Sequence, residues 1–186
     1  PVTTGEATIS GALITQHRAI LAELVGEATL TRALAKLALA DREAIVDATS
    51  VSYIPIRVAD AMYRAIGTES GRDFVALHEQ VSRLAVDRAL KTVWRLLLRF
   101  TSDEALVART PVIFAKAFPQ GTLTPRIVAP GRAEIRVTGW PAMPEYAVRG
   151  TRVAVESVLR IAGRSNVKIT SEATHDGVCY HTSWVP

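Results

Sequence analysis

The stretch Arg126-Ile-Val-Ala-Pro-Gly-Arg-Ala-Glu-Ile-Arg-Val137 decides the fold class. Two β-prone runs flank Pro130-Gly131, a dipeptide suited to a tight turn, so residues 126–137 are expected to form a β-hairpin. Downstream, Val148, Val155, Val158, Leu159 and Ala162 recur at helical spacing until Gly163. Two more β-prone runs follow, Asn166 to Ser171 and Gly177 to Val185, with His175-Asp176 as the turn between them. In the last run, alternation puts Val178, Tyr180, Thr182 and Trp184 on one face and Cys179, His181 and Ser183 on the other. Hairpin, helix and hairpin in that order make a small antiparallel sheet, without the strand–helix alternation of a parallel fold. The expected class is α+β.

Upstream of the hairpin the pattern is helical. Ala7 to Ile14 reads as a short extended stretch broken by Gly11. Ala19, Ile20, Leu21, Leu24 and Val25 then mark a helix ending at Gly26, and Leu30, Leu34 and Leu37 mark the next. Asp41 to Asp47 suits a short helix with Asp41 capping its first turn. Tyr53-Ile-Pro55 is extended, because a residue before proline is pushed out of the helical region. Pro55 opens a helix through Val58, Ala59, Met62 and Ile66 that Gly67 is expected to end. From Gly71, an apolar stripe running from Phe74 to Phe100 predicts a helix of about 28 residues, roughly 40 Å long. Thr101-Ser-Asp-Glu104 is a capping sequence, and Pro111 begins or kinks a helix carrying Ile113, Phe114 and Phe118.

The composition fits one domain over residues 1–186, with residues 1–6 as an extended or disordered tail. The chain is 48% hydrophobic and 22% charged, too apolar for a disordered chain. It contains no apolar run of about 18 residues that could span a bilayer. The polar start lacks the charged-then-apolar order of a signal peptide, so a cytoplasmic location is expected. A single cysteine, Cys179, excludes an internal disulfide framework and a zinc site built mainly on cysteines. Net charge is +4 and 18 of the 22 basic residues are Arg, a composition bias that carries little information about partners.

The residues that could carry chemistry are few. Neither of the common phosphate-cradling glycine motifs is present. Ser70 in Gly67-Thr-Glu-Ser-Gly71 sits one place too late for a nucleophile elbow and follows no strand. His175, Cys179 and His181 are metal-ligand types, with Cys179 and His181 sharing a strand face. A metal-dependent enzyme built on them is the alternative to a noncatalytic reading. His78, in the long helix, is a haem-ligand type but more commonly a buried, hydrogen-bonded residue, and His17 beside Arg18 reads as a surface residue. Arg88, Lys91, Arg95 and Arg99 form a helical stripe that an anionic surface or nucleic acid could use. No aromatics interleave with it, which argues against single-stranded nucleic acid.

Several features taken in order carry a resemblance. They are the early Gly11, the helix stop at Gly26, Leu39-Ala-Asp-Arg-Glu43, Tyr53-Ile-Pro55 and the long helix after Gly71. Thr101-Ser-Asp-Glu104 and the closing Gly177-Val-Cys-Tyr180 strand complete the set. The pattern resembles a myxobacterial paralogous family of unknown function. That family is similar to the ligand-binding domains of nitric-oxide signalling and Golgi transport, which include haem-nitric-oxide-binding and 4-vinyl-reductase-type sensor domains. The resemblance implies their fold, an apolar pocket and a tendency to dimerise through helices. It does not carry over their cofactors. The Tyr-x-Ser-x-Arg haem clamp is absent at Tyr53 and at Tyr63, and only Cys179 remains of a cysteine zinc site.

The expected function is therefore a noncatalytic sensor or regulatory domain without haem or other cofactor. Its partners would be a small apolar ligand, a second copy of the chain, or another protein. Tyr53, Met62, Trp94, Phe114, Trp140 and Tyr146 are the candidate pocket residues, since small-molecule sites are mostly apolar with a few polar groups.

Overall fold

The computed structural model describes residues 6–90 and 98–185. The expected tail at 1–6 therefore falls outside it except for Glu6, and so does the middle of the expected long helix. The fold is α+β, and its contacts gather into two compact units. Unit 1 comprises residues 1–81 and 117–119; unit 2 comprises 82–116 and 120–186.

Unit 1 begins with β1 (Thr8–Ser10) and α1 (Gly11–Val25), followed by α2 (Glu27–Ala35) and α3 (Leu39–Val46). Then come β2 (Tyr53–Pro55), α4 (Ile56–Ser70) and the first half of α5 (Phe74–Ala89). β1 and β2 pair antiparallel with Ile9 opposite Ile54. The extended Tyr53-Ile-Pro55 step is thus a strand clamped onto the N-terminal segment. Gly11 does not break that segment; it starts α1, and its N–H donates to the Ser52 carbonyl at 2.8 Å. A Cβ there would collide with the Thr49 carbonyl oxygen and the Ser52 hydroxyl, so only glycine lets the helix start this close to the loop.

Two boundaries differ from expectation. Asp41 lies in the first turn of α3 without capping it, because the helix starts earlier, at Leu39 with Ala38 in the cap position; its carboxylate accepts from Arg57 at 2.9 Å. Gly67 does not end α4. The helix continues to Ser70 and stops at Gly71, which takes the left-handed conformation (φ 68°). Gly67 instead allows close packing, since a Cβ there would meet the Arg72 carbonyl at 2.9 Å. Asp73 then caps α5, accepting from the Ala76 N–H at 2.7 Å. The apolar stripes of α1, α2 and α4 are buried on Ile14, Ile20, Leu21, Leu30, Leu34, Met62 and Ile66. Each such side chain is worth about 2 kcal/mol of burial.

Unit 2 holds α6 (Asp103–Val107), α7 (Thr110–Ala117, its last residue in unit 1), β3 (Thr122–Ala129) and β4 (Arg132–Thr138). α8 (Glu145–Ile161), β5 (Ser165–Thr174) and β6 (Gly177–Val185) complete it. Ser102, one residue after the Thr101 that opens the expected capping box, caps α6 and accepts from the Ala105 N–H at 3.2 Å. The strands form one antiparallel sheet in the order β3-β4-β6-β5. β6 lies between β4 and β5, because the second hairpin adds to β4 through its C-terminal strand. Leu98, Leu106, Ala133, Leu159, Ala162 and Trp184 form a buried cluster in unit 2. Its polar rim is a clamp. Arg164 reaches Asp103 Oδ1 through Nε (2.9 Å) and Nη2 (2.7 Å), and the Trp184 indole N–H donates to Asp103 Oδ2 at 3.0 Å.

Among the described residues no helix is long and apolar enough to cross a membrane.

Candidate functional site

Unit 1 buries three polar rings on three helices. His17 on α1, Tyr63 on α4 and His78 on α5 are 3%, 1% and 5% exposed. The Tyr63 hydroxyl and His17 Nδ1 are hydrogen-bonded at 2.8 Å. The rings meet edge to face, with His78 centred 4.7 Å from Tyr63 and 5.8 Å from His17. Burial keeps both imidazoles neutral. It pushes the His17 pKa down to about 3, helped by the nearby His78, and the His78 pKa down to about 4.

His17 is thus a core residue and not the surface residue expected. Its neighbour Arg18 turns away to donate to the Ile45 and Val46 carbonyls at 2.8 and 3.0 Å. One residue is about 100° around a helix, so the setting of a half-buried Arg says nothing about the ring beside it. The overlooked signal was spacing. His17 stands three residues after Ile14 and four before Leu21, on the buried stripe of α1.

In unit 2 the sheet face opposite the Val178–Trp184 face is polar and exposed at most positions. Arg126, Glu134 and Arg136 stand together there, with Glu134 accepting from Arg126 at 2.9 Å and Arg136 at 3.4 Å. Those arginines hold the Glu134 carboxyl below its ordinary range. Cys179 pairs with Arg136 on one side and Glu172 on the other, and is buried at 2% exposure. Its thiol pKa is raised, first by loss of water. His181 stands two residues along the same face, 3.1 Å from the Glu172 carboxylate. His175 sits in the exposed turn between β5 and β6, so the donors that gather are Glu172, Cys179 and His181.

The pocket candidates are divided between the units. Met62 is buried in unit 1, where Tyr53 is 55% exposed on β2. Phe114, Trp140 and Tyr146 are buried in unit 2, and Trp94 lies outside the described residues. In the basic stripe, Arg88 is half-buried and Arg99 exposed, while Lys91 and Arg95 lie outside the described residues. Two buried hydroxyls of unit 2, Ser157 on α8 and Thr182 on β6, have no hydrogen-bond partner among the described residues.

No family model matches the chain, and no curated protein sequence matches it either. Solved structures do. An Fe(II) unliganded H-NOX protein from K. algicida superposes with a TM-score of 0.71 at 10% identity, covering 95% of this chain and 97% of that one. The chain is similar in fold to H-NOX domains. An oxygen-binding H-NOX domain related to soluble guanylate cyclases gives 0.65 at 9% identity, over 94% of both chains. A T. Tengcongensis H-NOX variant gives 0.65 at 10%, over 94% of this chain and 97% of that one.

Haem is the group that the H-NOX fold implies; of the four histidines of this chain, two are packed as buried rings and two stand exposed. An axial ligand needs an imidazole nitrogen facing a porphyrin-sized space. His17 spends Nδ1 on Tyr63, and His78 is packed edge-on against both rings. His175 and His181 stand exposed on the β5–β6 hairpin. The Tyr63-Arg64 pair offers no propionate clamp either, since Arg64 binds Asp60 and lies over the Phe74 ring.

Proposed function

We propose that this chain is a noncatalytic sensor-type or regulatory domain that binds a small apolar ligand, a partner protein or both, without histidine-ligated haem. The observation that carries this reading is the likeness to H-NOX domains over nearly the whole of both chains. The histidine packing supports the haem-free part of it, because in unit 1 both buried imidazoles are packed against Tyr63. A buried apolar interior with a few unspent polar groups suits a small ligand, and within unit 2 Phe114, Trp140 and Tyr146 with the Ser157 and Thr182 hydroxyls supply those types. A cytoplasmic bacterial protein acting as one domain, with a second copy or another protein as partner, belongs to the same proposal. So does membership of the myxobacterial family that the sequence resembles.

The test is native mass spectrometry of the full chain purified from its expression host, with ferric haem added in a parallel sample. A stoichiometric apolar adduct, or a stable dimer, is expected, with no histidine-ligated Soret band after haem addition. A monomer free of adducts overturns the binding part. A stoichiometric haem band that disappears in His78→Ala overturns the haem-free part.

A further inference from the structure

We propose that Glu172, Cys179 and His181 form a divalent-metal site of zinc type on the outer face of the four-stranded sheet. Their ligand atoms, one carboxylate oxygen, the thiol sulfur and one imidazole nitrogen, all lie within 4.8 Å of one another. Tetrahedral zinc, with bonds of about 2.0–2.3 Å, holds its ligand atoms roughly 3.5 Å apart. Side-chain rotation alone closes that difference. One edge is already short enough, with His181 Nε2 3.1 Å from Glu172 Oε1.

The backbone fixes the three donors. Cys179 and His181 lie on β6, which is laddered to β4 on one side and β5 on the other. Glu172 is the register partner of Cys179 on β5. Two donors spaced i, i+2 on an inner strand, with a third from its neighbour, make a site on rigid elements, which holds geometry better than a loop does. The donor set also discriminates among metals. Thiolate with imidazole selects zinc-like, borderline-soft cations, where an all-oxygen set would take magnesium or calcium.

Charge closes the argument. On binding, the metal displaces the thiol proton to solvent and the Cys179 sulfur becomes a ligand. Thiolate and carboxylate together then balance a 2+ ion, with a neutral imidazole as third ligand. The nearest cation, Arg136, contacts both Glu134, which also holds Arg126, and the Cys179 thiol, and the metal would take its place at the sulfur. Three protein ligands leave the fourth position to water or an outside donor. An exposed His–Glu pair alone contributes little to stability. The buried thiol seated beside it, on an otherwise polar face, is what singles this place out.

The experiment is a Co(II) titration of the reduced full chain followed by absorbance, with Zn(II) as competitor. The expected result is one cobalt per chain with a thiolate-to-cobalt charge-transfer band, displaced by zinc. His181→Asn and Glu172→Gln, both exposed and so expected to fold, should weaken binding by at least about tenfold. His175→Ala should leave it unchanged. The proposal is overturned if saturating cobalt gives no charge-transfer band, if the two ligand variants bind as the unmodified chain does, or if His175→Ala loses binding. The readout needs neither an apolar ligand nor a partner, so its outcome is independent of the sensor reading.

Discussion

Acidification should destabilise this protein before its carboxylates titrate, and the buried imidazoles give the reason. His17 and His78 are neutral in the fold, with pKa values of about 3 and about 4. In the unfolded chain both revert to about 6.5. Below pH 6.5 the unfolded state therefore binds protons that the folded state refuses, and stability falls with falling pH. Above pH 6.5 both states carry neutral rings and the contribution is constant. Each ring costs about 1.4 kcal/mol per pH unit. From pH 6.5 to 5 the loss is about 2 kcal/mol per histidine and about 4 for both, a large share of the 5–15 kcal/mol typical of a domain. The loss from His78 levels off near pH 4, and that from His17 near pH 3, where each ring protonates in the fold as well.

Urea denaturation followed by far-UV circular dichroism at pH 7 and pH 5 measures this directly. His78→Phe removes one titrating ring and keeps the Tyr63–His17 bond. In that variant the stability difference between the two pH values should shrink by about half. An undiminished difference would falsify the assignment of the acid lability to these rings, whatever the absolute stability of the variant. The lowered pKa values of Glu69 and Glu134 act in the opposite part of the range. Their stabilisation is present above the ordinary carboxylate pKa and is lost only below it, so pH 5 to 7 reports the histidines.

Three further outcomes follow from packing. Tyr63→Phe leaves the buried His17 Nδ1 without its hydroxyl and should cost about 1–3 kcal/mol in urea denaturation, with the acid loss retained. Asp103→Ala strips Arg164 and the Trp184 indole of their shared acceptor and should cost about 3–5 kcal/mol; Asp103→Asn, which keeps one carbonyl oxygen, should cost less. Gly11→Ala forces a methyl against the Thr49 carbonyl and should cost about 1–3 kcal/mol or prevent folding, readable as a lower melting temperature.

The fold was legible where local chemistry and tertiary context agree. The Pro130-Gly131 turn, the α8 stripe and the alternation in β6 all reappear in the structure, because each element's own periodicity is the one its packing uses. Boundaries failed where a distant residue decided them. Gly11 reads as a strand breaker until Ser52 supplies a carbonyl acceptor for its N–H. Asp41 reads as a cap, but α3 already begins at Leu39, which leaves Asp41 inside the first turn and its carboxylate to Arg57. Gly67 reads as a stop because glycine usually is one; here its missing Cβ makes room for the chain returning through Arg72 and Phe74.

The donor cluster on the sheet was half legible, and the missing half shows what sequence reading needs in order to reach a site. Cys179 and His181 share a face by simple alternation. The third donor depends on register, which in a hairpin is set by the turn. With His175-Asp176 as the two turn residues, Thr174 must face Gly177, and counting outward puts Glu172 opposite Cys179, the register observed. The same count excludes His175, since a residue at the turn cannot also stand beside a strand residue four positions later. A side chain's chemistry nominated His175; the ladder's geometry selects Glu172. No comparable count was available for His17, Tyr63 and His78, whose rings meet only after three helices have packed. Their membership in three buried stripes was visible in the chain, but their contact was not, because helix packing angles do not follow from the spacing within any one helix.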